Sequence, residues 1–153
     1  MYVFDTTSFL ELSHYYPKRF PSLWASFNDL VEAGEIISVK EVFKEINDSK
    51  PELFEWIHTK KNIFCEPTEE EARFLMQIFQ VRNFQHSLEQ KKLIKGGAFA
   101  DPFVIAKAKV TNGIVVTQEK LKPNAAKIPN ICEHFKVRCL NFEIFMEEQN
   151  WRF

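Results

Sequence analysis

The sequence predicts an α/β protein, a three-layer α/β/α sandwich on a central parallel sheet. Short runs of β-branched and aromatic residues recur along the chain, and segments with apolar residues at helical spacing separate them. The strand-like runs are continuously apolar, as in Ile114-Val115-Val116, which suits strands covered on both faces. No linker or break in composition divides the 153 residues, so residues 1–153 are expected to form a single domain.

Taken in order, Tyr2-Val3-Phe4 opens the chain as a strand and stops at Asp5. Residues 7–16 form a short helix that ends before Pro17. In FPSLWASFNDLVEAG, Leu23, Trp24, Phe27, Leu30 and Val31 recur at helical spacing, and Gly34 is the stop. Ile36-Ile37-Ser38 is the second strand, and VKEVFKEI places Val39, Val42, Phe43 and Ile46 on one helical face. PELFEWIHTKK is another short helix, with Pro51 at its start. Ile63-Phe64-Cys65 is the third strand. Thr68, with Glu71 three residues on, makes a capping box for a helix that runs to about Leu88. KKLIKGG reads as an exposed basic loop, and Gly96-Gly97 within it as a plain turn of chain. ADPFVIAKAKV is a helix with Pro102 in its first turn, which puts Asp101 at or beside the N-cap. After a turn at Asn112-Gly113 come the strand Ile114–Thr117 and the polar loop QEKLKPNAAKIPN. Val137–Leu140 is the last strand, and a closing helix begins near Asn141.

Composition excludes several functions. Twenty Lys and Arg against 21 Asp and Glu leave a formal net charge of −1, so bulk charge does not bind nucleic acid, although a local basic surface could. Glycine is scarce, and neither GxGxxG nor GxxxxGK[ST] occurs. Cys65, Cys132 and Cys139 form no CxxC or zinc spacing, and their odd number points to reduced thiols in a cytoplasmic setting. The histidines are scattered. No leader precedes Tyr2 and no apolar run approaches a membrane span, so a soluble protein with no membrane partner is expected.

The acids are the informative residues. Ligands of open parallel sheets gather at the carboxyl ends of the strands. Asp5 directly follows the first strand, Glu119 lies two residues past the 114–117 strand, and Asp101 opens the helix before it. Glu41 and Glu45 stand one turn apart on the helix after the second strand. Carboxylates brought to one rim repel one another, and a hard divalent cation, Mg²⁺ or Mn²⁺, is the usual means of offsetting that. Such an ion lowers the pKa of a bound water and steadies charge on a phosphoryl group. Each acid also has an ordinary reading: Asp101 as a helix cap, and Glu41 and Glu45 as a solvated face paired with Lys40 or Lys44. Thr6, Thr7 and Ser8 read either as caps of the next helix or as hydrogen-bond partners of the carboxylates.

On these segments the chain resembles the PIN-domain superfamily of metal-dependent ribonucleases, which includes the VapC toxins. VFDTTS resembles the strand that leads into the first acid, Asp5; VFKEI resembles the V-x-x-E-[LI] segment through Glu45; DPFVIAKA resembles the D-x-x-I-A-x-A helix through Asp101; and VVTQE resembles the T-x-D segment, with Glu119 in place of Asp. The resemblance covers nearly the whole chain. It implies a sheet of order 3-2-1-4-5 and an endoribonuclease in which Asp5, Glu45, Asp101 and Glu119 are the catalytic, metal-ligating residues for Mg²⁺ or Mn²⁺. It selects Glu45 over Glu41, which is expected to face more solvent. RNA is the implied substrate, and an antitoxin protein is a candidate partner if the chain is the toxin of a toxin–antitoxin pair. FPSLW and KIPNICEHFKVRCLNF depart from the VapC pattern, which bears on the toxin role rather than on the chemistry.

Lys91, Lys92, Lys95, Lys120 and Lys122 could guide an RNA backbone, or be plain solvated surface. Trp24 and Trp56 sit at apolar helical positions and read as core. Wide apolar faces around Leu10, Leu12, Leu23, Trp24 and Phe27, together with the resemblance, lead to the expectation of a homodimer. A non-catalytic PIN-fold module that binds RNA or protein is the alternative function. A receiver-like phosphoacceptor lacks its paired acids here, and a D-x-D phosphatase is disfavoured by Thr7 in the place of the second Asp.

Overall fold

The computed structural model describes residues 1–47, 51–96 and 99–153. Along the chain run β1 (Tyr2–Phe4), α1 (Thr6–Ser13), α2 (Pro21–Glu32), β2 (Ile36–Val39), α3 (Lys40–Asn47) and α4 (Pro51–Thr59). A 3-10 turn at Lys61–Ile63 leads into β3 (Phe64–Cys65), then α5 (Glu69–Gln80), α6 (Arg82–Lys95) and α7 (Asp101–Thr111). β4 (Ile114–Val116), α8 (Ile128–Phe135), β5 (Cys139–Leu140) and α9 (Phe142–Glu148) complete it. The strands form one parallel sheet of order β3-β2-β1-β4-β5. Tyr2 pairs in register with both Ile36 and Ile114, so the first strand of the chain is the central one. The predicted α/β class and strand order are both present.

Each strand is two to four residues long, so the helices supply most of the core. Successive side chains along a strand point to opposite faces. Phe4 enters an aromatic layer, its ring centroid 5.4 Å from those of Phe9 in α1 and Phe27 in α2, and 5.1 Å from that of Phe145 in α9. Trp56 of α4 joins this layer against Phe9, Trp24 and Phe27. Four of the chain's 16 phenylalanines, Phe4, Phe9, Phe27 and Phe145, stand in this layer. α7 lies against β1, β2 and β4, with α5 and α8 beside it. Val104, Ile105 and Ala106 of α7 are fully buried. An α7 buried on most sides is what holds Asp101, its first residue, at the sheet's rim.

Leu12, Leu23, Trp24 and Phe27 are all buried within the chain and Leu10 is partly so, so the apolar faces behind the expected homodimer are already covered by the domain's own core. Among the described residues no helix is long and apolar enough to cross a membrane.

Four local expectations are corrected. The helix from Thr68 does not continue to Leu88: it breaks at Val81, whose backbone is extended, and α6 starts anew. At 100° per residue, Phe84 on one continuous helix would stand roughly 120° round from Ile78. The break lets Phe74, Ile78, Phe84 and Leu88 all reach the core. The basic segment is likewise helix, not loop: Lys91, Lys92 and Lys95 lie in α6, which Gly96 ends in the left-handed conformation at φ 72°. Gly97 lies outside the described residues. The polar loop after β4 ends earlier than expected, in α8, whose signal was Pro129 in the first turn and Ile128, Ile131 and Cys132 at helical spacing. The capping box at α5 is half made. Thr68 accepts the Glu71 N–H at 3.2 Å, but the Glu71 carboxylate turns inward to Lys107 of α7, 2.6 Å away.

Candidate functional site

All four predicted acids lie at the carboxyl end of the sheet, held by separate local sets of hydrogen bonds. Asp5 is the N-cap of α1: its Oδ1 accepts the Ser8 N–H at 2.8 Å. The caps are therefore not Thr6, Thr7 or Ser8. Instead, two hydroxyls hold the carboxylate: Thr117 donates to Oδ2 at 2.6 Å, and Thr7 lies 2.8 Å from the same oxygen. Thr117 immediately follows β4, and its Oγ1 in turn accepts the Glu119 N–H at 3.1 Å. Pairing of β1 with β4 thus sets Asp5 beside the start of the Glu119 loop.

Thr6 reaches the other way and donates to Glu45 Oε2. The second Glu45 oxygen accepts the N–H of Ala100 at 3.0 Å, at the start of α7 and next to Asp101. Glu119 has a similar seat, accepting the N–H of Ile128 at 2.8 Å at the start of α8. Carboxylates at helix N-termini are stabilised by the unpaired N–H groups there. Asp101 is beside the N-cap, as predicted, since Ala100 holds the cap position.

Burial separates the acids. Asp5 is only 3 % exposed, and among the described residues no cation lies within ion-pair distance of it. Burial pushes its carboxyl up from 3.8 to about 6, against the opposing pull of the Thr117 and Thr7 hydroxyls and the Ser8 N–H. The other three each face a lysine. Lys91 Nζ lies 3.0 Å from Asp101 Oδ2, Lys95 Nζ 3.8 Å from Glu45 Oε1 and Lys127 Nζ 3.9 Å from Glu119 Oε1. Lys91 also donates to the carbonyl of Ala126 at 3.3 Å, which ties α6 to the loop that carries Lys127.

Glu41 departs from expectation. It is the more buried acid of α3, 6 % exposed against a partly exposed Glu45, and its Oε2 has no hydrogen-bond partner among the described residues. Burial raises its pKa, with Lys40 and Lys44 pulling it down. The helical periodicity of α3 could not show this, because it depends on the depth at which the helix leaves β2. Two further features escaped the sequence reading. Lys127 was hidden in a loop whose course only α8 fixes, and the Lys107–Glu71 pair joins helices far apart in sequence. Lys120 and Lys122 make no ion pair among the described residues. Trp24 is core, as expected, and Trp56 is partly buried against it; their indole N–H groups bond to the Tyr15 carbonyl and to Asn28.

Among the described residues no three His, Cys, Asp or Glu side chains stand close enough together to hold one ion. The four candidate ligands, Asp5, Glu45, Asp101 and Glu119, are all carboxylates, the donor type that suits a hard divalent cation. The rim already collects positive charge, in the form of three lysines.

Residues 2–153 match the model of a family described as "Domain of unknown function (DUF4411)". No curated protein and no solved structure matches the chain significantly.

Proposed function

The chain belongs to the DUF4411 family, and from its rim of carboxylates we propose that it is a metal-dependent endoribonuclease. Asp5, Glu45, Asp101 and Glu119 would hold Mg²⁺ or Mn²⁺. The observation that carries the reading is Asp5: a carboxylate 3 % exposed at the end of the central strand, held by hydroxyls and facing no cation among the described residues. Burying a charge this way is costly unless a partner compensates it, and an ion bound through one or two of these carboxylates and otherwise by water would be that partner. When bound, the ion would lower the pKa of a water and stabilise charge on the phosphodiester under attack. Thr7 and Thr117 fix the Asp5 carboxylate in one orientation. Thr6 and the Ala100 N–H do the same for Glu45, and the Ile128 N–H for Glu119. The lysines of the rim are the groups suited to RNA phosphates.

A non-catalytic RNA- or protein-binding module is the second reading, and the same lysines favour it, since they can neutralise the acids without an ion. The two readings part on metal response. An ion that binds the folded rim and not the unfolded chain raises the melting temperature. The nuclease reading expects millimolar Mn²⁺ to raise Tm by several degrees over EDTA, and Asp101→Asn to remove most of that shift. Equal Tm in Mn²⁺ and EDTA would favour the module. A toxin role would further require a protein antitoxin, which an adjoining reading frame for a small DNA-binding protein would support.

A further inference from the structure

Each acid of the rim except Asp5 faces its own lysine, and those lysines come from only two segments. Lys91 and Lys95 lie one turn apart on α6, and Lys127 ends the loop before α8. Lys91 also bonds to the Ala126 carbonyl, so the two segments are tied together over the rim. The side chains are neither deeply buried nor free: Lys91 is 25 %, Lys127 41 % and Lys95 49 % exposed. The ammonium groups of Lys91 and Lys95 also stand 5.9 and 5.7 Å from the centroid of the Phe99 ring. That ring is 4 % exposed and fixes a common seat for both.

These contacts set up a competition. A carboxylate oxygen that coordinates a divalent ion has less charge left for an ammonium 3.0 Å away, and a cation entering the rim repels the ammonium directly. The long, flexible lysine stems let the ammoniums swing outward by rotamer changes, with no change of backbone. A displaced ammonium in that position needs a new anion, and the anion that a phosphodiester strand presents there is a phosphate oxygen.

We infer that Lys91, Lys95 and Lys127 are exchangeable counter-ions: they neutralise Asp101, Glu45 and Glu119 in the metal-free protein and pass to the phosphates of a bound strand when a divalent cation enters. The inference rests on the metal reading of the rim and adds a coupling to it. Metal and strand should each strengthen the binding of the other, because each relieves the other of competition for the same charges.

Mn²⁺ alone is the first probe, with free Mn²⁺ followed by electron paramagnetic resonance on the full chain. Lys95→Met is the mild variant, because that side chain is half exposed; Lys91→Met is the stronger one, and Lys91→Arg keeps the charge. The expected result is Mn²⁺ affinity about tenfold tighter in Lys95→Met and Lys91→Met, and near wild type in Lys91→Arg. A 2′-O-methyl oligoribonucleotide is the second probe. It should tighten Mn²⁺ binding several-fold in the wild type and have little effect in a Lys91→Met/Lys95→Met double variant. Unchanged or weaker Mn²⁺ binding in folded Lys95→Met would overturn the exchange while leaving the metal site intact. Absence of Mn²⁺ binding in the wild type and in every variant would overturn the metal reading itself, and the exchange with it.

Discussion

Glu71→Ala should destabilise the protein by about 3–5 kcal/mol, because it leaves the Lys107 ammonium charged and without its carboxylate in the interior. The two side chains are 2 % and 7 % exposed and 2.6 Å apart, between α5 and α7. For a chain of this length the loss corresponds to a fall in Tm on the order of 10 °C. Glu71→Leu combined with Lys107→Met removes both charges and should recover most of the loss, because well-packed apolar side chains replace buried ion pairs at little or no cost. Urea denaturation of the single and double variants checks both statements. A Glu71→Ala variant within about 1 kcal/mol of wild type would show that water reaches the pair. The pair matters beyond stability: α7 begins at Asp101, and the contact with α5 fixes that helix along the sheet.

Asp5→Asn should stabilise the metal-free protein at neutral pH while removing its response to metal. Asp5 has a folded-state pKa of about 6, raised above 3.8 mainly by burial. A group raised in this way favours folding below its unfolded pKa, and that contribution is lost as pH climbs through the folded value. Metal-free wild type should therefore lose stability between about pH 4 and pH 6, by roughly 3 kcal/mol for a shift of about two units. The introduced amide can keep the Ser8 N–H on its oxygen and offer its NH₂ to the Thr7 and Thr117 hydroxyls, which also accept. The variant should show a flatter stability profile over that window in EDTA and a higher Tm at pH 8. Calorimetry across pH measures it. An Asp5→Asn variant with the same pH slope as wild type would mean that the carboxylate is not the titrating group.

The sequence and the structure agree where local chemistry decides the outcome. β-branched and aromatic runs became strands, and Asp5 ended the first of them because an acid caps the following helix. Alternation made the sheet parallel. The placement of Asp101 and Glu119 along one rim followed from their offsets at a helix start and after a strand, whereas offsets left Glu41 and Glu45 open and only the resemblance pointed to Glu45. What the sequence hid depends on long-range packing. The break at Val81 answers a phase mismatch between Ile78 and Phe84 that could have been counted in advance, but the position of Lys91 over Asp101 also needs the angle at which α6 returns. The burial of Glu41 depends on the depth of α3 behind β2, and the Lys107–Glu71 pair on the packing of α5 against α7. Apolar residues that look too numerous for one domain, from Leu12 to Phe27, prove to be its aromatic layer and its surroundings.

The proposed activity is cutting of RNA by this carboxylate rim with a divalent ion. Its most direct test is cleavage of a labelled single-stranded RNA by the purified wild type in Mn²⁺ and in EDTA, with Asp101→Asn and Glu45→Gln prepared in parallel. Mn²⁺-dependent cutting by the wild type is expected, with none in EDTA and a rate on the order of 100-fold lower or more in each variant, as follows from removing an ionic ligand at a metal centre. Cleavage that persists in EDTA, or that is unchanged in folded Asp101→Asn, would contradict it.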